Sequence, residues 1–413
     1  MPKIFVIKEE IMKPIIRQEY IQEIEKYLGK DLIIVLVGQR RVGKSYILRQ
    51  IHDLKSEDAA NHVILIDKEK RQFDFIKTYQ DLNAYIDEQM VAGKHNFILI
   101  DEVQDIQEFE RSVRSFINEP DVDVIITGSN AKMLSGDLAT LIGGRYKEIH
   151  IQPLSYNEFL TFHQLDDNDE SLGKFISCGG LPGLVVMGLD DEIVRNYQMD
   201  IYHTVLLKDV VMRNRIRNVP FLENLVEYMA DNTGKLISAN NIAKFMRSQG
   251  SPVTAGVVLD YLSFLCESYM VNKVPRYDIH GKRIFENNDK FYFEDHGIRN
   301  AIAGGPRVGD IEKVLENVVY QQLLRMGYTV RVGQLQAGEI DFVCTRPTGE
   351  RAYVQVAYLI AEETTRQREF GNLMAIKDNY PKYVISMSPL VTREVDNGII
   401  HLHLRRFLTH GLQ

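Results

Sequence analysis

Tryptophan is absent from this chain, and cysteine occurs three times and proline twelve times in 413 residues. Cys178, Cys266 and Cys344 lie far apart, in apolar or mixed stretches. That spacing excludes a disulfide framework and a cysteine-rich zinc module, and fits reduced thiols in a cytoplasmic protein. No apolar run approaches the roughly 18 residues that cross a bilayer, so no membrane partner is expected. The opening stretch MPKIFVIKEEIMK has charges scattered through it and lacks the apolar core of a secretory leader. Positive charge is not in excess either. Lys and Arg number 49 against 57 Asp and Glu, a formal net charge of −8. This excludes a protein coated in phosphate contacts but leaves room for a local basic groove. Repeats and low-complexity tracts are missing too. What remains, 45% hydrophobic and 26% charged, is ordinary globular composition at a length that suits two or three domains.

Against that background one octapeptide stands out. GQRRVGKS, Gly38 to Ser45, fills every fixed position of a phosphate-binding loop. An apolar run, Leu32 to Val37, reads as a buried parallel strand leading into it. A helical stretch follows, with Ile47, Leu48, Ile51 and Leu54 on one face. The spacing has a physical reason. Glycines let backbone N–H groups wrap the phosphates, and the helix N-terminus adds positive dipole. The expected ATP-binding run is therefore Gly38, Gln39, Arg40, Arg41, Val42, Gly43, Lys44, Ser45 and Tyr46. Within it Lys44 acts as a point charge on phosphate oxygens, and Ser45 offers its hydroxyl to Mg²⁺.

A second signature lies at 97–102. Phe97 to Ile100 bury a strand, and Asp101 emerges at its carboxyl end, where ligands of open α/β sheets bind. Asp101 is the second expected metal residue, and Glu102 is placed to polarise an attacking water. Binding alone would not need Glu102, so the pair points to hydrolysis. The apolar strand Val122 to Thr127 ends in Gly128-Ser129-Asn130, where Asn130 reads either as a sensor of the γ-phosphate or as a helix cap. Arg145, in a glycine-flanked turn, reads as a candidate for stabilising charge on the transferring phosphoryl group, in its own or a neighbouring subunit.

Strand–helix alternation from about 30 to 152 predicts a parallel sheet with helices on both faces. The region from about 171 to 300 reads as mostly helical: a long helix over 190–211, another over 222–229, then two helices around the turn Gly250-Ser251-Pro252. Two short strands follow, 269–274 and 290–293, with Arg276, Lys282 and Arg283 near the loop between them. Helix–turn–helix plus hairpin describes a winged helix. After Gly304-Gly305-Pro306 a smaller α/β unit follows. The expected division is 1–165, 166–303 and 304–413.

These stretches together resemble the prokaryotic AAA-type ATPases that end in a C-terminal domain of unknown function. The resemblance runs through GQRRVGKS, ILIDEVQ (98–104), ITGSNAKMLS (126–135), GGRYKEIHIQPLSYNEF (143–159), CGGLPGLV (178–185), LLKDVV (206–211), LENVVYQQLLRMGY (315–328), EIDFV (339–343) and DNYPKYVIS (378–386). It implies a P-loop ATPase core using ATP and Mg²⁺, a helical and winged-helix middle, and a C-terminal unit similar in fold to restriction-type nucleases. It also implies that Pro182, in Gly179-Gly180-Leu181-Pro182, lies near the adenine. A DNA or protein partner acting through the C-terminal domains, and a homo-oligomer, are further expectations.

Nucleases of that type place acids on successive strands, with a lysine two residues after the last. Here Glu316 and Asp341 are in suitable places, but Gln355 stands at the acid position and Ala357 at the lysine position. The sequence therefore predicts a nuclease-like shape without its chemistry.

Overall fold

Residues Ile33–Val37 are apolar without alternation because the strand they form, β1, is buried on both faces. In this computed structural model β1 pairs in parallel with β4 (Val122–Thr127) on one side and β5 (Tyr146–His150) on the other. β4 continues to β3 (His95–Asp101), and β3 to β2 (Asn61–Asp67), all parallel. The order is β2-β3-β4-β1-β5. Leaving β1, the chain must pass β4 and β3 before it can begin β2, and helix α2 (Lys44–Ser56) makes that crossing. One consequence decides the site: β4 lies between β1 and β3, so the carboxyl ends of all three strands share one edge. The structure describes residues 15–129, 142–248, 250, 253–281, 283–284, 288–305, 308–336, 338–360 and 362–413.

Alternation along the strands sorts side chains to two faces. Ile34, Leu36, Phe97, Leu99 and Ile125 pack with Ile21 and Ile24 of helix α1 (Gln18–Glu25) and with Ile47, Leu48 and Ile51 of α2. Ile98, Ile100, Val124 and Ile126, one position out of phase, are equally buried. Helices α3 (Tyr79–Gln89) and α4 (Phe109–Phe116) pack on each other, and α4 on β4. The start of α3 is fixed by a capping box. Thr78 Oγ1 accepts from the Asp81 N–H, and the Asp81 carboxylate accepts from the Thr78 N–H at 2.9 Å.

The chain forms two compact units, which divide between Gln152 and Pro153. This lies before the boundary expected at 165. The difference has a packing reason: helix Tyr156–His163 buries Tyr156 and Phe159 in one core with Leu172, Phe175, Val314 and Leu315. In the second unit the stretch read as one long helix is α-helical over Asp191–Thr204 and π-helical over Val205–Met212. Helices Ala239–Ser248 and Ala255–Glu267 stand beside a small antiparallel sheet of β6 (Leu236–Ile237), β7 (Val271–Val274) and β10 (Asp289–Phe293), in the order β6-β10-β7.

The remaining strands make a mixed sheet. Helix Ile311–Arg325 precedes an antiparallel meander of β11 (Thr329–Gln334), β12 (Glu339–Thr345) and β13 (Arg351–Ala357). Helix Glu363–Met374 then leads to β14 (Lys382–Ser386), parallel to β13. The hairpin β8 (Arg276–Asp278) and β9 (Arg283–Ile284) joins this sheet, because β8 pairs in parallel with β11. The boundary expected near 303 is thus crossed by strand pairing. All three cysteines are free. Among the described residues no helix is long and apolar enough to cross a membrane.

Thr78→Ala removes one arm of the α3 capping box. Chemical denaturation should show a loss of about 1 kcal/mol, with the far-ultraviolet spectrum of the folded protein unchanged.

Candidate functional site

The turn after β1 is shaped by what its backbone touches. A Cβ on Gly38 would lie 2.2 Å from the Ile151 carbonyl oxygen, and its φ is +139°, so only glycine fits. Gly43 closes the turn at φ +99° and passes directly into α2, which starts without a side-chain cap. Where α3 has Thr78 to satisfy its first N–H groups, α2 leaves the corresponding groups to whatever lies in front of the loop. Lys44 is buried, and its ammonium donates to the Gly38 carbonyl at 2.8 Å and the Gln39 carbonyl at 2.9 Å. The loop thus folds around its own lysine. Gln39 is buried too, with no hydrogen-bond partner for its Oε1.

Facing this turn along the strand edge are the two acids. Asp101 and Glu102 are both buried. Thr127, at the end of β4, joins them: its hydroxyl donates to Asp101 Oδ1 at 2.6 Å and accepts from the Glu102 N–H at 2.9 Å. Burial pushes the Asp101 carboxyl above its ordinary range, and hydrogen bonds from Thr127 and Ser45 oppose it. Ser45 therefore lies close to Asp101. Glu102 adopts a left-handed conformation, φ +52°, uncommon for a residue with a side chain. Its Oε2 accepts from Gln104 Nε2 and, at 3.5 Å, from the Ser129 hydroxyl.

Gly38 to Ser45, Asp101 and Glu102 therefore meet at one edge of one sheet. Thr127 and Gln104 were missed as site residues in the sequence. Thr127 ends β4, and its signal in the sequence is a hydroxyl immediately before the Gly-Ser-Asn tip. Tyr46 is exposed at 39%, and burial of part of the ring raises its phenol. Arg40 is half-buried, and Arg41 is exposed at φ +69°. Arg145 is exposed and donates to Asn118 Oδ1 at 3.0 Å. Asn130 lies outside the described residues, as does Lys282. Pro182 belongs to the second unit, in the turn after helix Asp169–Cys178, where Asp295 Oδ2 accepts from the Gly180 N–H at 2.8 Å.

The AAA domain family matches residues 30–160, the span that contains this edge. An uncharacterised protein of Haemophilus influenzae is 34% identical over 387 residues, covering 92% of this chain and 95% of that one. The chain belongs to the AAA-type P-loop ATPase family. A second relative of this AAA-type protein, MJ1544 of Methanocaldococcus jannaschii, is 26% identical across 86% of this chain and 81% of its own. A domain of unknown function matches residues 169–307. Among solved structures, the Walker-type ATPase paby2304 of Pyrococcus abyssi aligns with 70% of this chain and 95% of its own, at 14% identity and a TM-score of 0.49. The Aeropyrum pernix ORC1 protein, solved in complex with DNA, covers 74% and 97% at 11% identity and a TM-score of 0.30.

The AAA-type protein holds a second charged cluster, in its C-terminal sheet. Lys290, on β10, is buried, and its ammonium lies 2.7 Å from Glu339 Oε1 and 3.5 Å from both Glu316 Oε2 and Asp341 Oδ1. Asp341 Oδ2 accepts from the Val356 N–H at 2.9 Å, and Tyr292 donates to Glu316 Oε2 at 3.0 Å. Glu316 and Asp341 were expected here, and Gln355 does adjoin them, accepting from the Asp341 N–H at 3.3 Å. Lys290 and Glu339 were not expected. The lysine position expected on β13 is held by Ala357. The charge arrives instead from a different sheet. Among the described residues no group of three or more His, Cys, Asp or Glu is arranged to hold a metal ion.

Burial pulls the Lys290 ammonium down, but the three carboxylates outweigh it and hold it well above its usual range. Burial pushes Glu316 up to about 8 and Asp341 up to about 6, against the pull of Lys290. A carboxyl raised in the folded state favours that state while protonated, so its contribution fades as pH climbs towards the raised value. Lys290 offsets that loss. Lys290→Met should therefore destabilise the fold modestly at pH 5 and by about 3 kcal/mol or more at pH 8, seen as a larger drop in melting temperature at the higher pH. Melting both proteins across that range checks the sign.

Proposed function

We propose that this chain binds ATP with Mg²⁺ and hydrolyses its terminal phosphoanhydride bond, coupling the cycle to changes in the second unit. The observation that carries the reading is the shared strand edge: an uncapped helix behind a glycine loop, facing two buried acids joined by Thr127. The residues fit the ligand. Backbone N–H groups from Gln39 to Tyr46 hold phosphate oxygens, and Lys44 exchanges its carbonyl partners for them. Ser45 and Asp101 hold Mg²⁺, which when bound neutralises charge on the phosphates. Thr127 and Ser45 donate to Asp101 and favour its ionised form against the upward push of burial. Glu102 orients the water and takes its proton. Arg145, exposed and bound to Asn118 Oδ1 at the surface, is within reach of a neighbouring copy if the protein assembles.

Two substitutions separate binding from turnover. Lys44→Ala should remove ATP binding, and Glu102→Gln should keep binding while phosphate release drops at least a hundredfold. Unchanged phosphate release by Glu102→Gln would sink the catalytic role.

A second reading, a nucleotide-gated binding module with little turnover of its own, is favoured by two observations. Gln104 holds the Glu102 carboxylate, and Lys290 sits among Glu316, Glu339 and Asp341, the acids that a nuclease-like domain would use. On this reading the helix pair with its small sheet acts as a winged helix, and the C-terminal sheet binds DNA or protein without cutting it. Affinity for duplex DNA should then differ between the ATP and ADP states by tenfold or more. Equal affinity in both states would count against it, and Mg²⁺-dependent cleavage abolished by Asp341→Ala would restore a nuclease.

A further inference from the structure

We propose that Arg17, which lies outside every nucleotide motif, is a positioning residue for phosphate binding. The inference rests on the ATP site proposed above and adds a residue to it. Arg17 is 2% exposed. Its Nη1 donates to the Val42 carbonyl at 3.0 Å and to the Gln152 carbonyl at 3.0 Å. Both partners matter. Val42 precedes Gly43, the residue at φ +99° that turns the loop into α2. Gln152 follows Ile151, whose carbonyl lies against Gly38 at the other end of the loop. One guanidinium therefore ties together the two flanks of the phosphate turn.

The effect on the ligand follows from peptide geometry. A trans peptide points its C=O and the next N–H in opposite directions. Holding the Val42 carbonyl thus fixes the direction of the Gly43 N–H, one of the groups offered to phosphate. Gly43 is the joint that most needs holding, since glycine has the widest backbone freedom. The hydrogen bond is charge-assisted, so it also polarises the peptide and strengthens its N–H as a donor.

Arg17 is itself held on several sides. Its guanidinium lies 4.5 Å from the centre of the Tyr20 ring, and the Tyr20 hydroxyl accepts from the Gln152 N–H at 3.1 Å. Gln50, on α2, accepts from the Arg17 N–H at 3.4 Å and donates to the Ile15 carbonyl at 3.0 Å. The segment before α1 is therefore bound both to the loop and to the helix behind it. Such over-determination suits a part that must not move when phosphate arrives.

The test uses the full chain in a Glu102→Gln background, so that binding is read without turnover. Affinity for a fluorescent Mg-ATP analogue is measured for Arg17→Met, Arg17→Lys and Lys44→Ala, at a temperature where each is folded by circular dichroism. Inorganic tripolyphosphate serves as a phosphate-only competitor. Arg17→Met should weaken ATP and tripolyphosphate alike by tenfold or more, and Arg17→Lys by less, since an ammonium keeps the charge but not the planar fork. If Arg17→Met does not fold, a threefold or greater loss in Arg17→Lys sustains the proposal. A lowered melting temperature with unchanged affinity would make Arg17 merely structural and overturn it. Unchanged affinity in Lys44→Ala would instead overturn the ATP site on which the proposal rests.

Discussion

The nucleotide edge of this molecule depends on one close approach, the backbone of Gly38 against the carbonyl of Ile151. No side chain fits there, so the loop leaving β1 must lie against the residues that follow β5. That contact orients Gly38 and Gln39, whose carbonyls receive the Lys44 ammonium. It also brings Gln152 to the place where Arg17 bridges it to Val42. The sheet order supplies the rest. With β4 between β1 and β3, a single threonine at the tip of β4 reaches both acids at the tip of β3.

Two buried charge assemblies in this chain are stabilised in different ways. Asp101 is surrounded by hydroxyl donors, which favour its ionised form without cancelling its charge and so leave it able to hold a cation. Asp341, by contrast, shares one ammonium with Glu316 and Glu339, so part of its negative charge is offset from within the chain. The first arrangement suits a site that waits for a ligand. The second suits one that has its counter-ion built in.

What could be read from the sequence followed the range of its signals. The phosphate loop and the strand ending in Asp101-Glu102 are local motifs, with their periodicity and spacing inside a dozen residues or so, and both were legible. The parallel sheet was legible for the same reason, from apolar runs too continuous for one-sided strands. Lys290 was not. Its partners lie on two later elements, and nothing in the local pattern of β10 distinguishes an inward lysine from a solvated one. Arg17 was hidden similarly, since an isolated arginine before a helix carries no pattern. The π-helical turns at Val205–Met212 were also invisible, because an apolar face at helical spacing fits either winding. The domain boundaries moved because composition marks changes of texture, whereas packing is decided by which side chains share a core.

The pairing of β8 with β11, together with the reach of Lys290 to Asp341, has a bearing on synthesis. The first unit has all its strands once residue 152 has left the ribosome, and can fold as the chain grows. The second unit cannot proceed in the same piecemeal way. Its hairpin emerges with no sheet edge to join, and Lys290 emerges as an exposed cation whose partners have yet to be translated. Completion waits for the last third of the chain, so a ribosome that stalls there leaves a finished AAA-type unit attached to an unsealed one.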